Sequence, residues 1–105
     1  MTQREILDHP RYFDGDYTFP GEQWDALNVD GYDKYQQSNY YRVKRTVTNK
    51  IMKPQDKYRY RHFVFGLYNN DGKCKEIKAE RLFPDFDLKT RADFYMRSEF
   101  IAGAF

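Results

Sequence analysis

Between Arg59 and Ala79 the chain reads as two alternating runs joined by a turn, and no other stretch limits the possible folds as strongly. From Arg59 to Asn69, Phe63, Phe65 and Leu67 fall on one side of a period-two pattern and Tyr60, His62, Val64 and Tyr68 on the other, because successive strand side chains point to opposite faces. The phenylalanines and leucine are the expected core. Asn69-Asn70-Asp71-Gly72 then supplies residues that tolerate the positive φ of a tight hairpin turn. Lys73 to Ala79 returns antiparallel, with Ile77 and Ala79 facing in.

The flanking sequence adds shorter elements. Tyr41, Val43, Arg45 and Val47 alternate with Arg42, Lys44 and Thr46, which predicts a half-buried strand with a cationic face and leaves Arg42, Lys44 and Arg61 exposed. Thr48-Asn49-Lys50 predicts a turn into Ile51 and Met52, and Pro54 ends that strand or puts it on an edge. Upstream, Thr2 and Glu5 have capping-box spacing for a short helix over residues 3–8 that His9-Pro10 stops. Asp14-Gly15-Asp16 and Phe19-Pro20-Gly21 read as turns, and Trp24 with Leu27 as a short helical segment over the sheet. Downstream, residues 80–83 predict a turn of helix that Pro84 interrupts, and residues 92–100 a docking helix. The expected class is α+β: a small antiparallel sheet of three to four strands with short flanking helices. At 105 residues this is one domain, comprising a lead-in arm at 1–30, a basic sheet module at 31–83 and a tail at 84–105.

Composition decides what fills the core and what meets it. The chain is 19% aromatic at a mean hydropathy of −1.00, so large rings must supply burial that aliphatic residues supply elsewhere. With 10 tyrosines, some rings are expected at the surface. Cys74 is the single cysteine, which excludes an internal disulfide and points to a reducing cytoplasm. No apolar run approaches membrane-spanning length, and the opening residues lack a secretory pattern.

The modest net charge of +2 hides a strong asymmetry. Residues 34–81 hold thirteen Lys or Arg against four Asp or Glu, whereas residues 1–33 hold two bases and eight acids. A basic block interleaved with aromatics most often meets nucleic acid; the alternative is a solvated basic surface neutralised by an acidic one. On the first reading the acidic arm screens the block or mimics phosphate, and removing residues 1–30 strengthens DNA binding; on the alternative the arm is a solubilising cover for one sheet face.

A resemblance sharpens the first reading. Gly31-Tyr32, Tyr35, Ser38-Asn39, Arg42-Val43-Lys44, Ile51-Met52-Lys53-Pro54-Gln55, Tyr60, Leu67, Asn70, Gly72-Lys73 and Arg81-Leu82 follow one another as in a known module. The chain there resembles the nuclease-associated modular domain that precedes the catalytic part of phage and intron HNH homing endonucleases. The match covers about half the chain. It implies a small antiparallel sheet lying against DNA, with Arg42, Lys44, Lys53, Lys73 and Lys75 on or near the DNA-facing surface. The other candidate contacts in the same block are Arg45, Arg59 and Arg61, with Tyr35, Tyr40 and Tyr60 as candidate aromatic contacts. The family has a glycine where Tyr41 stands and a histidine where Glu80 stands. After Arg81-Leu82 it continues into an Asp-His pair, whereas no histidine follows His62 here. A metal-dependent nuclease of that kind needs histidine to activate water and hold the ion. The resemblance therefore implies a stand-alone, non-catalytic relative of phage or mobile-element origin, acting in the bacterial cytosol.

No other chemistry is spelled out. His9, His62 and Cys74 make no metal spacing, the Asp85/Asp87 pair has no companion group, and the glycines sit at turns rather than in a phosphate-cradling loop. Neither cofactor, metal nor catalytic residue is expected. Two functions stay open: a module that binds duplex DNA, or a phage-encoded inhibitor or adaptor that occupies a host protein such as a defence or nucleic-acid enzyme.

Overall fold

The computed structural model describes residues 1–57 and 62–85. The chain opens with α1, Gln3–Leu7, nucleated by the expected capping box: Glu5 N–H donates to Thr2 Oγ1 at 3.2 Å while the Glu5 carboxylate reaches back to the Thr2 backbone. Its Ile6 and Leu7 are buried. After the 14–16 turn, a second turn forms over Phe19–Glu22, where Glu22 N–H donates to Phe19 O and Gly21 takes φ 76°.

Trp24 does not begin a helix. It begins β1, Trp24–Ala26, which pairs antiparallel with β2, Tyr35–Ser38, in the register Trp24↔Ser38. The segment lies between two turns and is too short to repay a helix nucleus, whereas a neighbouring strand satisfies its backbone at once. β3, Val43–Arg45, and β4, Lys50–Met52, complete a four-stranded antiparallel sheet in sequence order. Between β2 and β3, Tyr41 adopts φ 67°, the left-handed conformation that glycine takes without steric cost. Of the alternation predicted from Tyr41 to Val47, the strand keeps Val43–Arg45. Val47 then leaves it, 77% exposed in the Thr46–Asn49 turn that Asn49 closes at φ 56°.

Pro54 divides the sheets. Lacking an N–H it cannot extend a ladder, and β5, Gln55–Lys57, starts a second antiparallel sheet with β6, His62–Tyr68, and β7, Cys74–Lys78. The class is α+β as expected, with seven strands in two sheets among the described residues where one sheet of three to four was expected. The β6–β7 turn has the anticipated chemistry: Gly72 takes φ 80°, and Asn69 Oδ1 accepts from the N–H groups of Asp71 and Lys73. α2, Ala79–Leu82, packs on β6 and β7 and gives way at Phe83 before Pro84. The docking helix anticipated at 92–100 lies outside the described residues.

Tyr35 and Val43 on the first sheet meet Phe63, Phe65, Leu67 and Ile77 on the second, and Ala79, Leu82 and Phe83 join the same cluster. Phe63, Phe65 and Leu67 are buried as the alternation requires, and Val64 on the opposite face is buried too. Polar ties fix the approach of the two sheets: Tyr68 N–H donates to Tyr35 Oη at 3.1 Å, Gln37 Nε2 to Leu82 O at 2.8 Å, and Asn70 N–H to Gly31 O at 2.8 Å.

Candidate nucleic-acid interface

Because side chains alternate along β3, Arg42 and Lys44 project from the face of the first sheet opposite Val43, as the sequence predicts. That face is not open. Arm residues from Tyr12 to Glu22 fold over Arg42, which is 1% exposed at the centre of the covering. Its Nε and Nη2 grip the Glu22 carboxylate at 2.9 and 2.5 Å, Nη1 donates to the carbonyls of Tyr12 and Asp14 at 2.9 and 3.1 Å, and Nη2 also donates to Tyr17 O at 2.6 Å. A guanidinium has five N–H donors, and each finds an oxygen of the fold. The rings of Phe19, Trp24 and Tyr12 surround the cation at 4.9, 5.1 and 5.8 Å. The expectation that Arg42 is exposed and faces DNA is therefore corrected: it is a clamp between arm and sheet, with no donor left for a phosphate.

The arm is thus structural rather than a loose acidic screen. Phe19 Nα–H is itself satisfied by Glu22 Oε1 at 3.1 Å, and Tyr12 Oη donates to Tyr40 O at 2.5 Å. A Cβ on Gly15 would stand 1.4 Å from the backbone oxygen of Asn49, so only glycine lets the arm approach the β3–β4 turn so closely. Arg11 binds Asp14 through Nε and Nη2, and this with the Asp16 backbone N–H holds the Asp14 carboxyl below its ordinary value. A depressed carboxyl contributes its stability at neutral pH and loses it only as pH falls through the lowered value. The signal for this role was the arm's density of rings: Tyr12, Phe13, Tyr17, Phe19 and Trp24 within thirteen residues are too many for a solvated segment.

The remaining candidate cations are differently placed. Lys44 is half-buried, its ammonium 4.2 Å from the centre of the Trp24 ring. Arg45 is half-buried opposite Lys50, and its Nε is enclosed without a hydrogen-bond partner. Lys53 is exposed beside Phe13, and Lys73 and Lys75 are exposed at and after the β6–β7 turn. Arg59, Arg61 and Tyr60 lie outside the described residues. Of the tyrosines proposed to touch DNA, Tyr35 is 2% exposed and holds Tyr68 N–H, so it belongs to the core. Tyr40 is half-buried, and its hydroxyl donates to Pro20 O at 2.7 Å.

The fold draws the two basic turns toward one end. Thr46 N–H and Oγ1 both donate to Lys34 O, at 2.9 and 3.1 Å, fixing the β3–β4 turn beside the start of β2. Asn70 binds Gly31 and Asp33 from the other side, bringing the β6–β7 turn to the same loop. Lys34, Arg45, Lys50 and Lys73 therefore share this end, along with Asp33 and Asp71. Sequence reasoning missed Lys34 and Lys50; the signal was the absence of any acidic residue from Lys34 to Gln55.

Ion pairing separates arm from block. Among the described residues the pairs are Arg4–Asp8, Arg11–Asp14 and Arg42–Glu22. Lys34, Lys44, Arg45, Lys50, Lys53, Lys73, Lys75, Lys78 and Arg81 pair with no carboxylate of another described residue. Within the arm, Asp8 and Asp14 pair with the arm's own arginines and Glu22 with Arg42. His9 stacks on Tyr17 and meets Phe19 edge-on while its Nδ1 accepts from Arg11 N–H, a packing role. Cys74 is a free, exposed thiol. Among the described residues no group of three His, Cys, Asp or Glu could hold a metal ion, and no helix is long and apolar enough to cross a membrane. No family model, curated protein or solved structure matches the chain.

Proposed function

We propose that this protein is a non-catalytic module that binds duplex DNA through phosphate contacts from the end of the molecule where the β3–β4 and β6–β7 turns meet. The observation that carries the reading is the unpaired basic block: nine described cations outside the arm have no carboxylate partner there. A solvated surface neutralised by the acidic arm would instead pair the two. The resemblance to a DNA-binding module supports the same reading, and the left-handed Tyr41 stands where that family has glycine. Contact by a flat sheet face gives way to contact by turns and edges, because the arm occupies the face that carries Arg42.

Phosphate binding of this type releases counterions, so affinity falls with salt by about 0.9 log units per log unit for each contact. Binding of the intact protein to a random-sequence duplex should be measurable at low salt and fall steeply as salt rises. Lys50→Glu and Lys73→Glu should each weaken it on all sequences alike. The competing reading, an inhibitor or adaptor on a host protein, draws on Tyr68, 50% exposed, since tyrosine and arginine are enriched in protein interfaces. It expects no duplex binding at low salt and loss of partner binding on Tyr68→Ala.

A further inference from the structure

We infer that the β3–β4 turn enters the major groove of the duplex, with Val47 against the base edges and Arg45 and Lys50 on the flanking phosphates. This rests on the DNA-binding reading and names how that site engages its ligand. The first ground is composition: from Val43 to Lys53 the hairpin carries Lys44, Arg45, Lys50 and Lys53 and no acidic residue. The second is shape. β2 begins at Tyr35, opposite Arg45, and the last tie from that side is Lys34 O to Thr46. Beyond Arg45 and Lys50, the last paired residues of β3 and β4, only the Thr46–Asn49 turn extends. A single turn joining strands about 4.8 Å apart is narrow enough for a major groove about 12 Å wide.

The third ground is the tip itself. Residues Thr46–Lys50 are all exposed, and Val47, at 77%, is the most exposed large apolar residue among the described residues. A methyl-bearing side chain at the end of a cationic ribbon suits the thymine methyl, and the hydroxyls of Thr46 and Thr48 suit base edges or phosphates. Asp16 touches the tip through Asn49 Nδ2 at 3.3 Å and Gly15 packs on the Asn49 backbone, so the arm braces one side of the turn and leaves Val47 free. The ligand that fits is a B-form duplex. In an A-form RNA duplex the major groove is too deep and narrow for side chains to read.

The test uses the full chain and one mixed-sequence DNA duplex with a dimethyl sulfate footprint and a salt series. Wild type should protect guanine N7 in the major groove. Val47→Ser should lower affinity several-fold with the salt slope unchanged, whereas Arg45→Gln and Lys50→Gln should each flatten the slope by about 0.9. Lys78→Gln, on the second sheet, should leave the slope alone, and RNA duplex of the same sequence should bind at least tenfold more weakly. Thermal melts of Val47→Ser and Lys50→Gln should match wild type, since both positions are exposed. Duplex binding with guanine N7 unprotected, with Val47→Ser indistinguishable from wild type, or with equal affinity for RNA overturns the groove assignment while leaving DNA binding standing. Absence of duplex binding at low salt overturns both.

Discussion

Arg42 shows how a charge can sit in a small core. Transfer of a guanidinium from water costs several kcal/mol, and a buried pair repays this only when every donor is met. Here Glu22, three carbonyls and three rings meet it. Removing one partner leaves the other buried and uncompensated, so Arg42→Met should destabilise the protein by about 3–5 kcal/mol in a denaturant titration. The double variant Arg42→Met/Glu22→Leu should recover a substantial part, because both charges then go together. A single variant as stable as wild type would mean that the clamp contributes nothing. Phe65, 1% exposed, is the apolar counterpart. Phe65→Ala should cost about 3–5 kcal/mol, read as a lowered melting temperature. The phenylalanine was readable from period two alone. The arginine was not, because alternation reports which face a residue takes and is silent on what distant segment covers that face.

At the scale of elements, local chemistry wrote its structure into the sequence wherever the controlling residues are neighbours. The Thr2/Glu5 cap, the Asn69–Gly72 turn, the inward Ile77 and Ala79, and the helical turn ended before Pro84 each depend on contacts within a few residues. β1 depended on a partner strand roughly a dozen residues away, and its tryptophan carried no pattern long enough to separate strand from helix. Pro54 was read as an edge or an end, yet its larger effect is to hand the chain from one sheet to the other. The arm's seat on the β3–β4 turn makes an element-scale prediction. Gly15→Ala must displace the Asn49 backbone, and overpacking of that kind should cost about 1–3 kcal/mol. An unchanged unfolding midpoint would show that the arm and turn are not in firm contact.

For the whole molecule, the charge asymmetry has been sorted by the fold into two uses. Asp8 and Asp14 tie the arm together and Glu22 neutralises Arg42, while the other described cations of the block pair with no described carboxylate. Deleting residues 1–30 therefore cannot simply unmask a basic surface: it removes β1, Glu22 and all the carbonyls that Arg42 uses. The truncated chain should lose its cooperative thermal transition, followed by circular dichroism. A truncated protein that melts cooperatively and binds DNA more tightly would restore the arm as a dispensable screen.

The measurement that tests the central claim most directly is the affinity of the intact protein for a random-sequence DNA duplex across a salt series. Four or five phosphate contacts from the turn end give a slope of log affinity against log salt of about −4, at about −0.9 per contact. Binding should be tight at low salt with a slope in that range, reduced by Lys50→Glu and by Lys73→Glu. No binding at low salt, or binding that salt leaves unchanged, would contradict it.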